Sequence, residues 1–320
     1  MTYHSGSRAI QDRVGVRDLA DHVGRSLGQD IRPVAAAFLE LQPFLVVGAA
    51  AVEGGGEEEV GGAALGGGGG VWASLLTGPP GFVRAVGPRL LSVAGRLPAG
   101  DPLTAALGTR GTAVGTIALD PRTRRRMRLD GRVRPAPRGF AVEADRVFAN
   151  CPKYLQKRDT YETVPGRSPG PARHGGELTP DQREFVERAD TFFLATVHAR
   201  GADASHRGGN PGFVRVETPG ELSWRDCPGN SMFLSLGNLT EDPRAGLLFL
   251  DWTSGTALQL TGTARTEFTP DGGRTVRFTL AGAVETPAAS PLRWSAPAYS
   301  PANPRTGGRR TRIHLPYPAR

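Results

Sequence analysis

The sequence predicts a mainly β protein made of two tandem copies of one small antiparallel barrel, with short helices beside the strands. One observation behind this prediction is an internal repeat. Residues 72–84 (WASLLTGPPGFVR) recur as residues 203–215 (DASHRGGNPGFVR), with eight identities in thirteen positions at an offset of 131. A second observation is that short apolar runs separated by Gly, Pro and Asp follow both segments. Such runs are typical of strands joined by tight turns, and a repeat at constant spacing indicates a duplicated structural unit.

The offset of 131 also aligns residues 114–134 with residues 245–265 without a gap. Six matching positions are Gly115, Leu119, Asp120, Leu129, Gly131 and Arg134, which correspond to Gly246, Leu250, Asp251, Leu260, Gly262 and Arg265. A register held over both blocks is hard to obtain by chance, so we infer a tandem duplication. Because Asp120 and Asp251 recur at one repeat position, we expect them to shape a turn rather than to take part in catalysis.

The two copies differ in length near their beginnings. Residues 43–50 (PFLVVGAA) resemble residues 191–198 (TFFLATVH) at an offset of 148, so the first copy carries additional residues between its matching blocks. They form the Gly- and Glu-rich tract 52–70. A tract of this composition buries too little apolar surface to offset the entropy of ordering it. We therefore expect a mobile hairpin tip there.

Each copy opens with a short helix and continues in strands. In the second copy Thr179, Pro180 and Gln182 form an N-terminal capping pattern. The corresponding helix of the first copy is expected over residues 33–41. Six strand signals follow in the second copy (FFLATV, GFVRV, ELSW, AGLLFLDW, ALQLTGTAR and TVRFTL), with one helical stretch over residues 231–239. This pattern predicts a small closed barrel.

The repeat divides the chain into two units. The first, residues 1–158, comprises the first barrel, an N-terminal helical arm and the hairpin insert. Residues 159–178 are rich in Pro and Gly and form the expected linker. The second barrel is expected over residues 179–300, followed by a C-terminal tail over residues 301–320.

Composition excludes several classes of protein. The 320 residues include only two cysteines, too few for a disulfide scaffold or a multi-cysteine metal site, and no cluster of metal ligands stands out. The longest apolar run, residues 44–52, is too short to cross a bilayer, and the N-terminal residues contain no apolar signal segment. We therefore expect a cytoplasmic protein without a membrane partner.

The net charge of +8 does not by itself indicate a nucleic-acid partner. Only Lys153 and Lys157 are lysines, and the excess of Arg, Gly, Pro and Ala is what GC-rich coding produces. Seven arginines cluster between residues 122 and 134, without the interleaved aromatic residues that nucleic-acid sites use for stacking. We interpret this cluster as a solvated strand or hairpin rim, with a phosphate-binding groove as the alternative, and expect no nucleic-acid partner.

Differences between the copies point to one functional site. The second copy has SHRGGN at residues 205–210 where the first has SLLTGP at residues 74–79. In the second copy Asn230 and Asn238 stand opposite alanine and leucine of the first. A purely structural role would require the same polar residues in both copies, so we predict the site in the second copy.

The chemistry that this predicted site favours is anion binding. Gly229–Ser231 form a turn ahead of the expected helix, where free backbone N–H groups and the helix dipole favour an anion. Arg207 would add a bidentate phosphate contact, and the hydroxyls of Ser205, Ser231 or Ser235 would donate further hydrogen bonds. A simple turn and helix cap is the alternative interpretation of the Gly-Asn pair.

These motifs resemble those of one family. SHRGGNPGFVRV (205–216), DCPGNSMFLSLGNL (226–239), GLLFLDW (246–252) and LQLTGTAR (258–265) look like the pyridoxamine 5′-phosphate oxidase-like family of flavin-binding split barrels. NCPKYLQKR (150–158) resembles the segment that closes single-barrel members, and the first copy resembles the weaker N-terminal half of tandem-barrel members. The resemblance implies two tandem six-stranded antiparallel split barrels with FMN bound non-covalently at an interface between barrels.

The resemblance also implies a set of FMN-binding residues. They are Ser205, His206, Arg207, Gly208, Asn230, Ser231, Asn238, Lys153 and Tyr154. Within this set Arg207 and Lys153 would lie near the phosphate, and Tyr154 would contact the flavin edge. Pairing of the two barrels within one chain, or across a homodimer, would form the site. Because the first copy lacks the polar residues, we expect one site per chain.

An FMN-dependent oxidoreductase acting on an unidentified small molecule is the function that the resemblance implies. The arginine- and lysine-rich phosphate set of true pyridoxamine phosphate oxidases is missing, so vitamin B6 is not the expected substrate. If one residue takes part directly in catalysis, we expect it to be His206. Two alternatives stay open: a haem-binding split barrel, with His206 as a ligand, and a non-catalytic flavin-binding or interaction protein. Cys151 and Cys227 are expected to be bystander thiols, and Trp252 and Trp294 to serve in packing.

Overall fold

The structure is a computed structural model that describes residues 3–52, 69–149, 151–270 and 272–304. Strands make up 44% and helices 17% of it, which confirms the predicted mainly β class. The expected hairpin tip falls largely on residues 53–68, and most of the expected tail on residues 305–320, so both lie outside the described residues. Within the described ranges, no helix combines the length and apolar character that a membrane crossing requires.

The first copy forms one antiparallel sheet. Its strands are β1 (Phe44–Ala50), β2 (Val71–Thr77), β3 (Val83–Gly87), β4 (Leu90–Val93), β5 (Ala113–Asp120), β6 (Arg125–Ala136) and β7 (Gly139–Ala149). They are ordered β2-β1-β5-β6-β7-β4-β3. Inward-facing side chains such as Leu45, Val47, Val114 and Leu129 form the core of this barrel. Burial of each such side chain contributes about 1.5–3 kcal/mol of hydrophobic free energy.

The second copy repeats this topology. Its strands are β10 (Thr191–His198), β11 (Gly201–Gly208), β12 (Val214–Thr218), β13 (Glu221–Arg225), β14 (Arg244–Leu250), β15 (Ala257–Phe268) and β16 (Arg274–Thr286), ordered β11-β10-β14-β15-β16-β13-β12. Each position in this order has its counterpart in the first sheet, as a tandem duplication predicts. Phe192, Leu194, Trp224 and Phe249 are among the side chains of its core.

Three short strands join the expected linker to the second barrel. β8 (Tyr161–Thr163) pairs with β17 (Leu292–Trp294), and β9 (Arg173–Gly175) pairs with β16. Residues 159–178 are therefore attached to the second copy by backbone hydrogen bonds at two places, through β9 on its main sheet and through the separate two-stranded sheet of β8 and β17.

Each barrel has seven strands along its sheet, whereas six were expected. The six strand signals do not include β11, which carries Asp203, Ser205, His206 and Arg207. Polar residues at these positions obscure the apolar alternation by which a strand is recognised. The strand is nevertheless largely buried, because it lies against β5 and β6 of the first barrel.

Short helices accompany the strands. Those in the described residues are α1 (Ser5–Val14), α2 (Arg17–Gly24), α3 (Pro33–Glu40), α4 (Thr104–Gly108), α5 (Pro180–Arg188) and α6 (Leu234–Glu241). The capping pattern of α5 is confirmed, since Gln182 N donates to Thr179 Oγ1 at 3.3 Å and Thr179 N donates to Gln182 Oε1 at 3.1 Å. Helix α3 begins at Pro33, as predicted.

The helix predicted over residues 231–239 begins later, at Leu234. Ser231 and Phe233 have φ angles of +60° and +54°, in the left-handed region that a right-handed helix excludes. The prediction that the Gly-Asn-Ser turn opens this helix directly is therefore wrong.

The two barrels pack against each other through strand faces. The shared apolar cluster includes Phe44, Val46, Phe193, Ala195 and Leu248. Glycines let the backbones come into contact: a Cβ added at Gly115 would lie 2.4 Å from Ala204 N, and one added at Gly246 would lie 2.6 Å from Trp72 Cα. Gly115 and Gly246 hold the same repeat position, so the duplication places a small residue where each barrel meets the other.

Two expectations about individual residues are confirmed. The carboxylates of Asp120 and Asp251 each accept a hydrogen bond from the backbone N–H two residues later, at 3.0 and 2.8 Å, and so shape turns. Trp252 and Trp294 pack edge-on against Phe44, with ring centroids 5.9 and 6.0 Å apart. Both tryptophans therefore serve in packing.

The N-terminal arm, helices α1 and α2, contacts the second copy, although the division at residue 158 groups it with the first. Helix α1 crosses α6 of the second copy so closely that a Cβ on Gly6 would lie 2.2 Å from Gly237 O. Glu241, the last residue of α6, accepts a hydrogen bond from Gly6 N at 2.9 Å. Because glycine at both positions removes the steric barrier to this crossing, helix α1 packs closely on the second barrel's surface.

Candidate functional site

A cleft lies between the two barrels, beside helix α6. Its walls are β6 and residues 151–154 from the first copy, together with β11, the end of β13 and residues 226–236 from the second. The empty space of the cleft, including the part that is open to solvent, has a volume of about 890 Å³. The cleft is therefore built from both copies.

The structure brings most of the predicted FMN-binding residues to this cleft. Those that line it are Lys153, Tyr154, Ser205, His206, Arg207, Gly208, Asn230 and Ser231. Asn238 is not among them, because its buried side chain turns to β10, where Nδ2 donates to Thr196 Oγ1 at 2.9 Å. The predicted ligand contact of Asn238 is corrected to a structural hydrogen bond.

Arg126 and Arg128 of β6 also line the cleft, so the solvated rim expected for the arginine cluster is wrong for these two residues. Residues two apart on a strand share a face, and β6 lies against β11 of the second barrel. A sequence signal for them exists: at the offset of 131 they stand opposite Ala257 and Gln259, so the positive charge is present in one copy only.

Arg126 carries a positive charge that no carboxylate within salt-bridge distance neutralises among the described residues. Its Nη1 lies 2.7 Å from His206 Nδ1, and its Nη2 donates to the Cys151 backbone oxygen at 2.6 Å. Burial, and then the nearby Arg207, lower the pKa of Arg126 to about 10. The guanidinium therefore stays protonated at neutral pH, and a bound anion would compensate its buried charge.

Arg207 is only partly neutralised. Its Nη1 donates to Ser205 Oγ and to the His206 backbone oxygen, both at 3.1 Å. The carboxylate within 4 Å of it is that of Asp226, with 3.9 Å between Arg207 Nε and Oδ1. The other oxygen of Asp226 accepts from Arg274 Nε at 2.9 Å, so one carboxylate serves two arginines. Burial lowers the pKa of Arg207, which indicates that its charged form lacks full compensation.

A hydrogen-bonded network forms the floor of the cleft. Arg128 and Asp203 form an ion pair across the barrel interface, and both side chains are almost fully buried. Asp203 Oδ2 accepts from Ser235 Oγ at 2.6 Å, and Ser235 Oγ lies 2.9 Å from Ser205 Oγ. Burial lowers the pKa of Arg128 to about 9. The network holds in place the face of β11 whose polar side chains line the cleft.

His206 is a neutral imidazole whose tautomer follows from its neighbour. A guanidinium only donates hydrogen bonds, so His206 Nδ1 must accept from Arg126 and the ring proton must sit on Nε2. Burial, followed by the charges of Arg126 and Arg207, holds the pKa of His206 well below 6.5. Nε2 is buried and has no hydrogen-bond partner in the described residues. His206 therefore offers one N–H donor to a ligand.

The segment after β13 is shaped by its own polar groups. Asn230 Oδ1 accepts from Met232 N at 3.1 Å, so the predicted ligand residue also acts as a turn residue. Tyr154 donates from its hydroxyl to Pro228 O at 3.0 Å, which joins residues 151–158, the exit segment of the first copy, to this loop. Burial, with Cys227 and Asp226 nearby, raises the pKa of Tyr154 to about 12, so the hydroxyl remains a donor.

Gly208 allows the close approach of the exit segment. A Cβ added at Gly208 would lie 2.1 Å from the Tyr154 backbone oxygen and 2.9 Å from His206 Cε1. Gln156 strengthens this contact, donating from Nε2 to Gly209 O at 3.1 Å. The two free cysteines are partly buried, and burial raises the pKa of Cys227, as expected for a bystander thiol.

The first copy's counterpart of this site is closed by a different network. Gln259, the repeat equivalent of Arg128, donates to Ser74 Oγ at 2.9 Å, and Ser74 Oγ donates to Asp101 Oδ1 at 2.7 Å. Burial raises the pKa of Asp101 to about 6. The equivalents of His206 and Arg207 are leucines. Across the described ranges, no group of three or more His, Cys, Asp or Glu side chains could hold a metal ion.

Fold and cleft together define a double split barrel with a cationic cleft between its halves. Residues 178–287 match the family model for pyridoxamine 5′-phosphate oxidase. This match agrees with the resemblance expected from the motifs, and it covers the second barrel. No curated protein matches the chain.

Several solved structures are similar to single-barrel lengths of the chain. A putative pyridoxamine 5′-phosphate oxidase from Corynebacterium glutamicum is 12% identical, with 37% of this chain and 95% of that one covered and a TM-score of 0.28. The FAD binding protein from Mycobacterium smegmatis is 11% identical, with 36% and 98% covered and a TM-score of 0.25. HupZ from Group A Streptococcus is 12% identical, with 32% and 89% covered and a TM-score of 0.26. Likenesses of this size carry no argument about the ligand of this chain.

Proposed function

We propose that the protein is an FMN-dependent oxidoreductase that acts on an unidentified small molecule, with the flavin in the cleft between the barrels. The observation that carries this proposal is the pair of buried arginines, Arg126 and Arg207, beside His206. Their positive charges are only partly neutralised by described carboxylates. The match of residues 178–287 to the family model supports a flavin as the anion that completes the site.

The residues present fit a phosphorylated flavin. Arg126 Nε, Arg207 Nε and His206 Nε2 are buried donors without a partner in the described residues. An unsatisfied buried donor costs about 1–3 kcal/mol. Phosphate oxygens and the carbonyl groups of a flavin ring are acceptors, so binding would remove this cost.

Each residue then has a defined role. Arg126 and Arg207 would bind the phosphate, and the exposed Lys153 would add a cation at the rim. Tyr154, which stays protonated, would contact the flavin edge. His206 would orient the ligand as a neutral Nε2–H donor, and not as a general acid, because its pKa lies well below neutral pH. When bound, FMN would supply the hydride or electron transfer.

Pairing of the barrels within one chain is part of this proposal. The cleft draws Arg126 from the first barrel and Arg207 from the second, which supports a site completed by a single chain. Because the first copy's counterpart carries leucines and its own polar network, we propose one flavin per chain.

The haem alternative is disfavoured by the geometry of His206. An imidazole that ligates iron through Nε2 must carry its proton on Nδ1. In this structure Nδ1 faces a guanidinium nitrogen at 2.7 Å, and two donors would then oppose each other. The remaining alternative, a non-catalytic protein, requires that the cleft bind no flavin.

The absorbance spectrum of the purified protein and its response to FMN test the proposal. We expect flavin absorbance, or a rise in melting temperature on addition of FMN, because a ligand of the native state stabilises it. The variants Arg126→Ala and Arg207→Ala should each weaken FMN binding about 10- to 100-fold, the effect of losing one charge-assisted hydrogen bond.

Arg134→Ala is the matched control, since Arg134 lies on the same strand as Arg126 but is exposed and paired with Glu143. It should leave FMN affinity unchanged. Haem absorbance in place of flavin absorbance, or a wild-type protein that shows neither flavin absorbance nor stabilisation by FMN, would contradict the proposal.

A further inference from the structure

The N-terminal arm supports one wall of the cleft from behind. We call residues 229–234, which precede and begin α6, the cleft loop; Asn230 and Ser231 of this loop line the cleft. Gln11 of α1 is fully buried, and its Nε2 donates to the Met232 backbone oxygen at 3.0 Å. Ser7 Oγ, one turn earlier, donates to Phe233 O at 3.4 Å. Two side chains of the arm therefore hold consecutive carbonyl groups of the loop.

The cleft loop needs support of this kind. Ser231 and Phe233 both have positive φ, at +60° and +54°. Side chains other than glycine adopt this conformation only where surrounding contacts impose it. The Met232 carbonyl that Gln11 binds lies between these two residues, so the hydrogen bond falls where the backbone is strained.

An apolar contact reinforces the hydrogen bonds. Tyr3, Ala20 and Leu27 of the arm region form one small buried cluster with Met232 and Leu234 of the cleft loop and Phe148 of β7. Tyr3 is held in this cluster, because its hydroxyl donates to Ala20 O at 2.8 Å. The cluster links the arm, the loop and the first barrel.

A separate set of contacts anchors the arm at the far end of α6. Glu241 Oε1 accepts from Gly6 N at 2.9 Å and from Ser5 Oγ at 2.6 Å. The Gly6–Gly237 crossing lies between this anchor and Gln11. Helix α1 is thus held along α6, and Gln11 contacts the cleft loop just before the first residue of α6.

We propose that Gln11 is a positioning residue for the ligand site: it holds the Met232 carbonyl and so keeps Asn230 and Ser231 on the wall of the cleft. The identity of the ligand rests on the proposed function, but the effect on the loop does not. Loss of this hydrogen bond lowers the fraction of molecules whose loop is ready to bind, and the apparent affinity falls by that fraction.

Gln11→Leu, with Gln42→Leu as the matched control, tests this role. Gln42 is also buried, and its Nε2 donates to Phe38 O at 2.6 Å, but it lies in the first barrel away from the cleft. Both variants lose one buried side-chain-to-carbonyl hydrogen bond, and Gln11→Leu also loses the bond that Gln11 Oε1 accepts from Arg8 Nη1 at 3.0 Å, so its melting temperature should fall somewhat further. Hydrogen exchange of residues 229–236 is measured in the protein without added ligand, and FMN affinity is measured separately.

In Gln11→Leu we expect the cleft-loop amides to exchange about tenfold faster than in the wild-type protein, and the Kd for FMN to rise about tenfold. In Gln42→Leu neither should change. Equal exchange of the cleft loop in the two variants would overturn the positioning role. If Gln11→Leu does not fold, Gln11→Glu replaces it, since it keeps the shape of the side chain and removes the donor.

The two proposals fail in different ways. A wild-type protein that binds no FMN contradicts the proposed function, and the exchange measurement then decides the role of Gln11 alone. If FMN binds and Gln11→Leu binds it as tightly as the wild-type protein, with the same absorbance spectrum of the bound flavin, the role of Gln11 is refuted while the function stands.

Discussion

Arg128 of the first barrel and Asp203 of the second form a buried ion pair that joins the two barrels at the floor of the cleft. The residues are far apart in the sequence, and each belongs to a different copy of the repeat. A charge left alone at this depth has neither water nor a partner to stabilise it. The pair therefore couples the packing of the barrels to the shape of the proposed ligand site.

Removing one partner of this pair should destabilise the protein strongly. We expect Arg128→Met to lower the free energy of unfolding by about 3–5 kcal/mol, because Asp203 is then buried without compensation. Urea denaturation measures the loss. Arg134→Met removes an exposed ion pair on the same strand and should cost no more than about 1 kcal/mol.

Replacing both partners should recover much of this loss. In Arg128→Met combined with Asp203→Leu, no buried charge remains, so we expect a free energy of unfolding well above that of Arg128→Met alone. A double variant as unstable as the single one would show that the pair's hydrogen bonds, such as that from Ser235, matter more than its charges.

Gly208→Ala should disturb both stability and ligand binding. The added methyl group would lie 2.1 Å from the Tyr154 backbone oxygen, so the exit segment must shift. We expect a loss of about 1–3 kcal/mol in unfolding free energy and weaker FMN binding. Gly220→Ala is the control, since a Cβ there meets no atom within 4 Å. Equal effects of the two substitutions would contradict the close contact.

His206 should remain neutral through the physiological pH range. Burial and the neighbouring Arg126 and Arg207 hold its pKa well below 6.5. Nitrogen chemical shifts measured by NMR should show one neutral tautomer, protonated at Nε2, from pH 8 down to pH 6. In Arg126→Gln one of the two cations is gone, so the pKa of His206 should rise. Titration of wild-type His206 near pH 6.5 would refute the assignment.

Glu241 should make the docking of the arm depend on pH at the acid end. Hydrogen bonds from Ser5, and then from His4, lower the pKa of Glu241 from 4.5 to about 2. A carboxyl group with a lower pKa in the folded state stabilises that state above the unfolded value, and this contribution is lost as the pH falls towards the folded value. The window is therefore about pH 4.5 to 2.

Comparison of the wild-type protein with Glu241→Gln measures this contribution. At pH 7 the variant should be less stable by about 1 kcal/mol, since part of the side chain is exposed to solvent. The difference should shrink as the pH falls from 4.5 towards 2. A difference that stays constant over this window would exclude the ionised carboxylate as its cause.

The sequence predicts local elements well where one periodic signal dominates. The capping residues of α5 identify its first turn, because Thr179 and Gln182 satisfy backbone groups only a few residues away. Strand β11 is not predicted in this way, because Asp203, Ser205 and Arg207 give it a polar pattern. Its burial depends on the first barrel, and no local signal reports that contact.

The residues of the cleft are likewise predicted from the sequence only in part. Comparison of the copies locates His206 and Arg207, because the repeat shows that both are replaced by leucines in the first copy. The comparison does not show that the side chain of Asn238 binds Thr196. The first residue of α6, and therefore the direction of its side chains, depends on two preceding residues with positive φ. Side-chain direction on a helix follows from that start.

By itself, the sequence determined the duplication, the mainly β class, and which copy retains the polar residues. These properties follow from residue spacing and composition, because local steric constraints and the burial of apolar side chains depend directly on them. Only the tertiary structure decided that Arg126 and Arg128 reach across to β11, and that the N-terminal arm packs on α6 behind the cleft. Such contacts join residues separated by many positions in the chain, and their formation depends on how whole barrels pack.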